Sequence, residues 1–397
     1  MVAGGCVSIT RLALVYAVNA LTESRIGTVE TGRSPVQRGC FWKLPMERIA
    51  VMSDKTGIAW TNSTWNPITG CSKVSQGCKN CYAEREWGRL SANPNAKSYY
   101  GRAFTDVTCH EDRLDQPLRW KKPRMIFVNS MSDLFHEDVP DAFIDKVFAV
   151  MALAEKHTFQ VLTKRPDRMR DYLSMKKRED LIGDVAMPQV SAGNFGVLEW
   201  PLPNVWLGVS VEDQATADDR IPLLLRAPAA VRWVSAEPLL NFVDLERVAW
   251  PNKCEHRVDV LRGGYWNKAN CIALGPSADL NEAKGGFTNH SDFPSTLDWV
   301  VCGGESGMKN ARPMHAEWAR KLHDDCAASG VPFFMKQLGA AFVGPEDGLF
   351  GVLAPHTEAQ PYDFRHLKDR AGADMDEWPE DLRVREWPKE VEAWKTQ

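Results

Sequence analysis

No stretch of this 397-residue chain offers the ~20 consecutive apolar residues that a membrane-spanning helix needs. Positive charge is not in excess either. The 48 Lys and Arg stand against 52 Asp and Glu, a net of −4, so the bulk composition does not mark a nucleic-acid binder. The ten cysteines lack the dense, regular spacing of a secreted disulfide scaffold, which points to a reducing compartment, the cytoplasm. Residues 12–21, "LALVYAVNAL", have the length of a signal-peptide apolar region. Yet no charge precedes Arg11 and no small-residue cleavage site follows. Low-complexity tracts are absent.

What is present is the material of a globular fold. Apolar residues make up 44% of the chain and charged residues 25%, enough for one large domain or two ordinary ones. Residues 1–51 carry six Arg and Lys against three Glu, without clean periodicity. They read as an extension outside the functional fold, which starts naturally at Met52; a targeting segment is the lesser option. Beyond it, short apolar runs alternate with helical stretches. The runs are "GIAWT" (57–61), "RMIFVNS" (124–130), "FQVLTKR" (159–165), "VWLGVSVE" (205–212), "VRWVSAEP" (231–238), "DWVVCGGES" (298–306) and "PFFMKQLG" (332–339). Continuous runs of this kind suit strands of a parallel sheet buried on both faces. Helices are expected at 81–90, 140–156, 166–176, 213–226 and 315–329.

This alternation predicts an α/β fold, a parallel (βα) barrel or partial barrel over 52–339, with a doubly wound open sheet as the alternative. Residues 247–297 interrupt it as an inserted loop or small subdomain rich in Gly, Asn, Asp and Pro. Cys254, His256 and Cys271 there match no familiar zinc spacing. The tail, 340–397, reads as a peripheral segment anchored by Trp378 and Trp387.

The chemistry-bearing feature is "NPITGCSKVSQGCKNCYAERE" (66–86), which sets Cys71, Cys78 and Cys81 inside eleven residues. Disulfides take thiols in pairs and a closed zinc site takes four ligands. Three soft thiolates suit a [4Fe–4S] cluster with one iron left open. The alternatives are zinc, completed by Cys109 or His110, and simple packing. The helix expected just after Cys81 would aim its free N–H groups at a cluster's negative charge. Cys302, in a strand, and Cys326, on a helix, read as core thiols.

Three clustered cysteines after the first strand of an α/β barrel resemble the radical S-adenosylmethionine (radical SAM) superfamily. The first arm is longer here than its usual C-x3-C-x2-C, and Asn80 rather than an aromatic precedes the third cysteine. A narrower likeness rests on "WNPITGCSKVSQGCKNCYAE", "MIFVNSMSDLFHEDVP", "FQVLTKRPDRM", "VWLGVSVEDQ", "VRWVSAEPLL", "WVVCGGESG", "ARPMHAEWAR" and "VPFFMKQLG". From about 56 to 339 the chain resembles the phage gene-product 37/gene-product 68 family, regarded as radical-SAM-like with its reaction unassigned. The resemblance implies that Cys71, Cys78 and Cys81 ligate a cluster and that S-adenosylmethionine chelates the open iron. It further implies that an electron from an external donor cleaves that cofactor to a 5′-deoxyadenosyl radical, which abstracts hydrogen from the substrate. On that pattern Ser130, Ser132 and Asp133 would meet the amino end of the cofactor, and Ser210 and Glu212 its ribose. Lys164, with Arg165, would meet its carboxylate or a substrate phosphate. Glu237 and Lys336 would face the substrate, which the resemblance leaves as nucleic acid, nucleotide or protein. The other functional class is a non-catalytic, metal-stabilised binding module.

Overall fold

A computed structural model describes residues 56–187, 198–250, 257–266, 273–274, 296–306, 310–343, 367–369 and 371–389. The N-terminal extension falls outside them, as do Cys254, His256 and Cys271 of the insertion. Seven parallel strands form the main sheet: β1 (Ser63–Trp65), β2 (Met125–Val128), β3 (Thr158–Thr163), β4 (Val205–Ser210), β5 (Val231–Ala236), β6 (Trp299–Gly303) and β7 (Phe333–Gln337). They lie side by side in chain order with no reversal. A doubly wound sheet reverses at a switch point, so that alternative is excluded. Right-handed crossovers that always step the same way put the helices on one side and curl the sheet into a half-barrel.

Among the described residues six helices of eight or more residues accompany the strands: α1 (Tyr82–Ser91), α2 (Asp141–Leu153), α3 (Pro166–Leu173), α4 (Arg178–Ala186), α5 (Gln214–Arg226) and α6 (Ala316–Ser329). Sequence signals fix several ends. Asp213 caps α5, its carboxylate accepting from Thr216 N at 2.8 Å. Gly330 stops α6 with a φ of 73°. Helix α4 was not expected. The first strand also lies later than "GIAWT" suggests: Thr61 N turns back to Ile58 O at 3.3 Å, and Trp60 folds under the sheet instead.

The strand period of two sorts side chains onto two faces. Ile126, Phe159, Val161, Leu207, Val234, Val300 and Met335 share one core with the helices. Cys302 and Cys326 belong to it too, as core thiols. The alternate positions, Phe127, Trp206, Trp233, Trp299 and Phe334, gather with Trp60 on the concave face. Their rings make edge contacts, with centroids 5.2 Å apart for Trp60–Trp233 and 5.9 Å for Trp299–Phe334. Gly208 of β4 faces them because a Cβ there would meet Trp233 at 2.5 Å. The aromatic layer fills the concave face around the lower parts of the strands. Polar positions follow toward the strands' C-terminal ends.

Two accessory parts complete the fold. The described part of the insertion is a small antiparallel sheet of Val248–Ala249, Arg257–Asp259, Gly264–Trp266 and Ala273–Leu274. The tail lies along the edge of β7, with Met335 N donating to Val384 O at 2.8 Å and Glu386 N to Phe333 O at 2.9 Å. This covers an edge that would otherwise expose unpaired backbone groups. Trp387 packs on Phe334 at 4.8 Å, and Trp378 is buried in the outer core.

Candidate functional site

The loop from β1 to α1 carries the three cysteines across the C-terminal ends of the strands. Its entry needs Gly70, which has a φ of 90° and whose Cβ would strike Asp106 O at 2.5 Å. Its middle needs Gly77, where a Cβ would meet the Glu212 carboxylate at 2.3 Å. Three networks, from the ends of β2, β3 and β4 and from the loop after β6, hold the loop.

The first network grips Cys71 and Ser72. Arg165, 8% exposed, donates through Nη2 to Ser72 O at 3.2 Å and to Ser72 Oγ at 2.8 Å. Its Nη1 lies 3.7 Å from Cys71 Sγ, and its Nε donates to Glu137 at 2.9 Å. Asp133 sits behind Arg165 at 3.4 Å and accepts from Thr163 Oγ1 at 2.7 Å, Lys164 N at 3.0 Å and Phe135 N at 3.0 Å. The second network lies beneath residues 75–77. Glu212 is fully buried, with Ser75 Oγ donating to it at 3.0 Å, Arg220 Nη1 at 3.2 Å and Lys164 Nζ 3.4 Å away. The third holds the far end. Buried Glu305 accepts from Asn80 Nδ2 at 2.7 Å and from Arg312, whose Nη1 reaches Gln76 O at 2.9 Å.

Beside the loop opens a cavity of about 380 Å³. Cys71, Cys78 and Cys81 all line it, and none is in a disulfide. Burial, reinforced by Asp133 and opposed by Arg165, pushes the Cys71 thiol up to about 12, so a metal must displace its proton. The three sulfurs are not all within 4.8 Å of one another. Among the described residues Asp244, Glu246 and Asp325 alone make so tight a ligating group. Cys109 and His110 do not line the cavity, and His110 is engaged by Thr69 Oγ1 at 2.7 Å.

The expected contact residues divide into wall and foundation. Ser130, Ser132, Lys164, Ser210, Glu237 and Lys336 line the cavity. Ser132 Oγ donates to Ile68 O at 2.9 Å and Ser130 Oγ to Asn66 Oδ1 at 3.2 Å, so both also brace the loop. Asp133 reaches the wall, but its oxygens serve four protein donors. Glu212 does not line the cavity: it lies under the loop, paired to two cations. Lys164 and Arg165 are likewise engaged by Glu212 and Asp133. Gly304 serves backbone packing, since a Cβ there would meet Leu338 O at 2.1 Å, while a Cβ on Gly303 would meet the Glu237 side chain at 3.3 Å.

Some site residues escaped the sequence reading. Asn129 follows β2 directly at a φ of 62°, a conformation Asn tolerates, and lines the cavity with its buried Nδ2 lacking an acceptor among the described residues. Glu237, which the sequence reading did place at the site, has its Oε1 similarly buried without a donor among the described residues, while Lys336 bonds its other oxygen. The placement of Asn in "NS" at a strand end was the available signal for the first. Nothing local in the sequence signals that Glu305, Arg312 and Arg220 reach back to the loop.

Among the described residues no helix is long and apolar enough to cross a membrane. Neither the curated proteins nor the solved structures contain a match to the chain. A family model described as "Protein of unknown function (DUF5131)" matches residues 55–378, which span the whole half-barrel, all three cysteines and each of the networks that hold their loop, and the chain therefore belongs to the DUF5131 family.

Proposed function

We propose that the protein is an iron–sulfur enzyme of radical SAM type. In this reading Cys71, Cys78 and Cys81 hold a [4Fe–4S] cluster, and S-adenosylmethionine occupies the adjoining cavity. The observation that carries it is three free thiols on one cavity wall at the C-terminal ends of parallel strands, on a loop fixed by buried ionic networks. When bound, the two groups supply reductive cleavage of the sulfonium cofactor and hydrogen abstraction from a substrate.

The chemistry of the donor set supports this reading. One zinc ion with Zn–S bonds of ~2.3 Å draws its thiolates to within about 4 Å of one another, closer than this loop brings all three. A cubane, whose irons are spread over a larger body, accepts a wider triangle of sulfurs. The orphaned Asn129 Nδ2 would donate to a carboxylate, and Ser130 and Ser210 offer hydroxyls on the same wall. Arg165 holds Cys71 by its sulfur and the next residue by its backbone, which orients the ligand before any metal arrives. The aromatic layer beneath keeps the lower part of the concave face dry.

Anaerobic reconstitution with iron and sulfide tests the proposal. It expects about four irons per chain, a visible charge-transfer band, and methionine release from S-adenosylmethionine on reduction by an added electron donor. Alanine at Cys71, Cys78 or Cys81 removes the band, whereas alanine at Cys302 or Cys326 leaves it. A full cluster in the Cys78→Ala protein refutes the assignment. One zinc per chain, with no iron taken up, leaves a metal-stabilised binding module in its place.

A further inference from the structure

The segment that carries the cysteines and α1 has charge of the opposite sign to the whole chain. Residues 71–102 hold six Lys and Arg against two Glu, within a protein of net charge −4. Salt bridges consume part of this: Lys73 pairs with Glu84 at 2.7 Å and Arg89 with Glu86 at 3.2 Å. Lys79 lies exposed between two cavity-lining residues, Cys78 and Asn80. Arg85 is exposed on the cavity wall, its guanidinium donating to the neutral Ser306 carbonyl at 3.2 Å. Beside these cations sits Tyr82, 42% exposed and also lining the cavity. Its hydroxyl is tied to the Ser130 carbonyl, so the ring is held in place at the rim. Deeper in the same cavity, Glu237 and Lys336 set an acceptor with one orphaned oxygen next to a cationic donor.

Cations flanking a fixed, exposed aromatic ring suit a single nucleic-acid strand, where lysine and arginine track phosphates and the ring stacks a base. An acidic protein would satisfy the cations but leaves the ring and the inner donor–acceptor pair without a role. A duplex keeps its bases stacked and offers none to a cavity. A free anion does not match Glu237, whereas the hydrogen-bonding edge of a nucleobase presents donor and acceptor side by side. We infer that the rim built from Lys79, Tyr82 and Arg85 binds single-stranded nucleic acid and passes one base toward Glu237 and Lys336. The inference rests on the proposed function above and names the substrate class for that site. It also revises where the cationic contacts lie, since Lys164 and Arg165 are engaged within the loop's foundations.

Fluorescence anisotropy with labelled DNA and RNA oligonucleotides tests it on the full chain, both as isolated and after reconstitution. Wild type should bind the single strand at ~50 mM salt more tightly than the matching duplex, with affinity falling as salt rises. The double variant Lys79→Glu/Arg85→Glu should bind at least tenfold more weakly with a shallower salt slope. Tyr82→Ala should lose at least fivefold with the slope unchanged, as expected for loss of one stacked base. Melting temperature and iron content show whether each variant is folded, and the two exposed cations are replaceable without disturbing the core. Unchanged affinity in the charge variant, or duplex bound as tightly as single strand, overturns the inference. An acidic peptide bound in preference to the oligonucleotide also overturns it, assigning the rim to a protein. Strand binding without cofactor cleavage would refute only the enzymatic reading. Cleavage without strand binding would refute only this inference.

Discussion

Replacing Glu212 by alanine is the sharpest test of how the cysteine loop is held. The carboxylate is fully buried, with Arg220 at 3.2 Å, Lys164 at 3.4 Å and Ser75 Oγ at 3.0 Å. Its removal leaves Arg220, 4% exposed, with its contact to the Ser210 carbonyl at 2.7 Å but no counter-charge there. Breaking a buried pair by deleting one partner costs about 3–5 kcal/mol. With a urea m-value of ~3 kcal/mol/M, the unfolding midpoint falls by about 1–1.7 M. Glu212→Gln keeps the shape and an acceptor for Ser75, and should lose less, about 1.5–3 kcal/mol for the charged hydrogen bonds. Urea titration of the three metal-free proteins, followed by tryptophan fluorescence, measures both. Alkylation of Cys78 should also quicken in the alanine variant, because the turn above Glu212 loses its support. A midpoint within ~0.3 M of wild type for Glu212→Ala, or alkylation at the wild-type rate, would refute the view of Glu212 as the loop's foundation. It would also return Glu212 to consideration as a direct cofactor contact.

Gly70→Ala should lower both stability and metal uptake. A left-handed residue other than Gly costs about 1–2 kcal/mol, before the clash with Asp106 O is relieved; iron content per chain after reconstitution reads the result. His110 is held down to about 4 by burial and by Arg113, so its folded value lies below its ordinary 6.5. The unfolded chain then binds the extra proton between those values, and stability is full above pH 6.5 and is lost as pH falls toward 4. Urea midpoints across that range should show a decline on the order of 3 kcal/mol, and His110→Asn should flatten it. Trp387→Ala removes the ring packed on Phe334 and should cost about 3 kcal/mol, with light scattering rising as the β7 edge is freed.

Much of the half-barrel was legible because each of its six longer strands is a continuous apolar run with turn chemistry after it. The runs at 124–130, 205–212 and 332–339 contain β2, β4 and β7. Strand β1 was not legible. At three residues it is too short to show alternation, and "GIAWT" nearby has the stronger apolar signal, which Trp60 spends on the concave core instead. The cysteine loop was readable as a metal-ligating motif, since three thiols in eleven residues are a local pattern. The division of polar residues into wall and foundation was not. Glu212 and Asp133 look from the sequence like ligands because they end strands. Their partners, Arg220 on α5, Ser75 in the loop and Arg165 after β3, are chosen by the fold. Asn80 and Glu305 are 225 residues apart, a pairing no local pattern announces.

Loops usually open on their own, more easily than the elements that carry them. This one is fastened from β2 through Asp133, from β3 through Arg165, from β4 through Glu212 and from the loop after β6 through Glu305. Freeing it therefore means disturbing much of the sheet at once. Amide hydrogen exchange at Cys71 and Cys78, which donate to Phe104 O and Ser75 O, should follow the global unfolding free energy and not a cheaper local opening. Metal retention would then report on the integrity of the entire half-barrel. A packing defect in the outer helical layer, away from the cysteine loop, would register first as a protein that loads poorly.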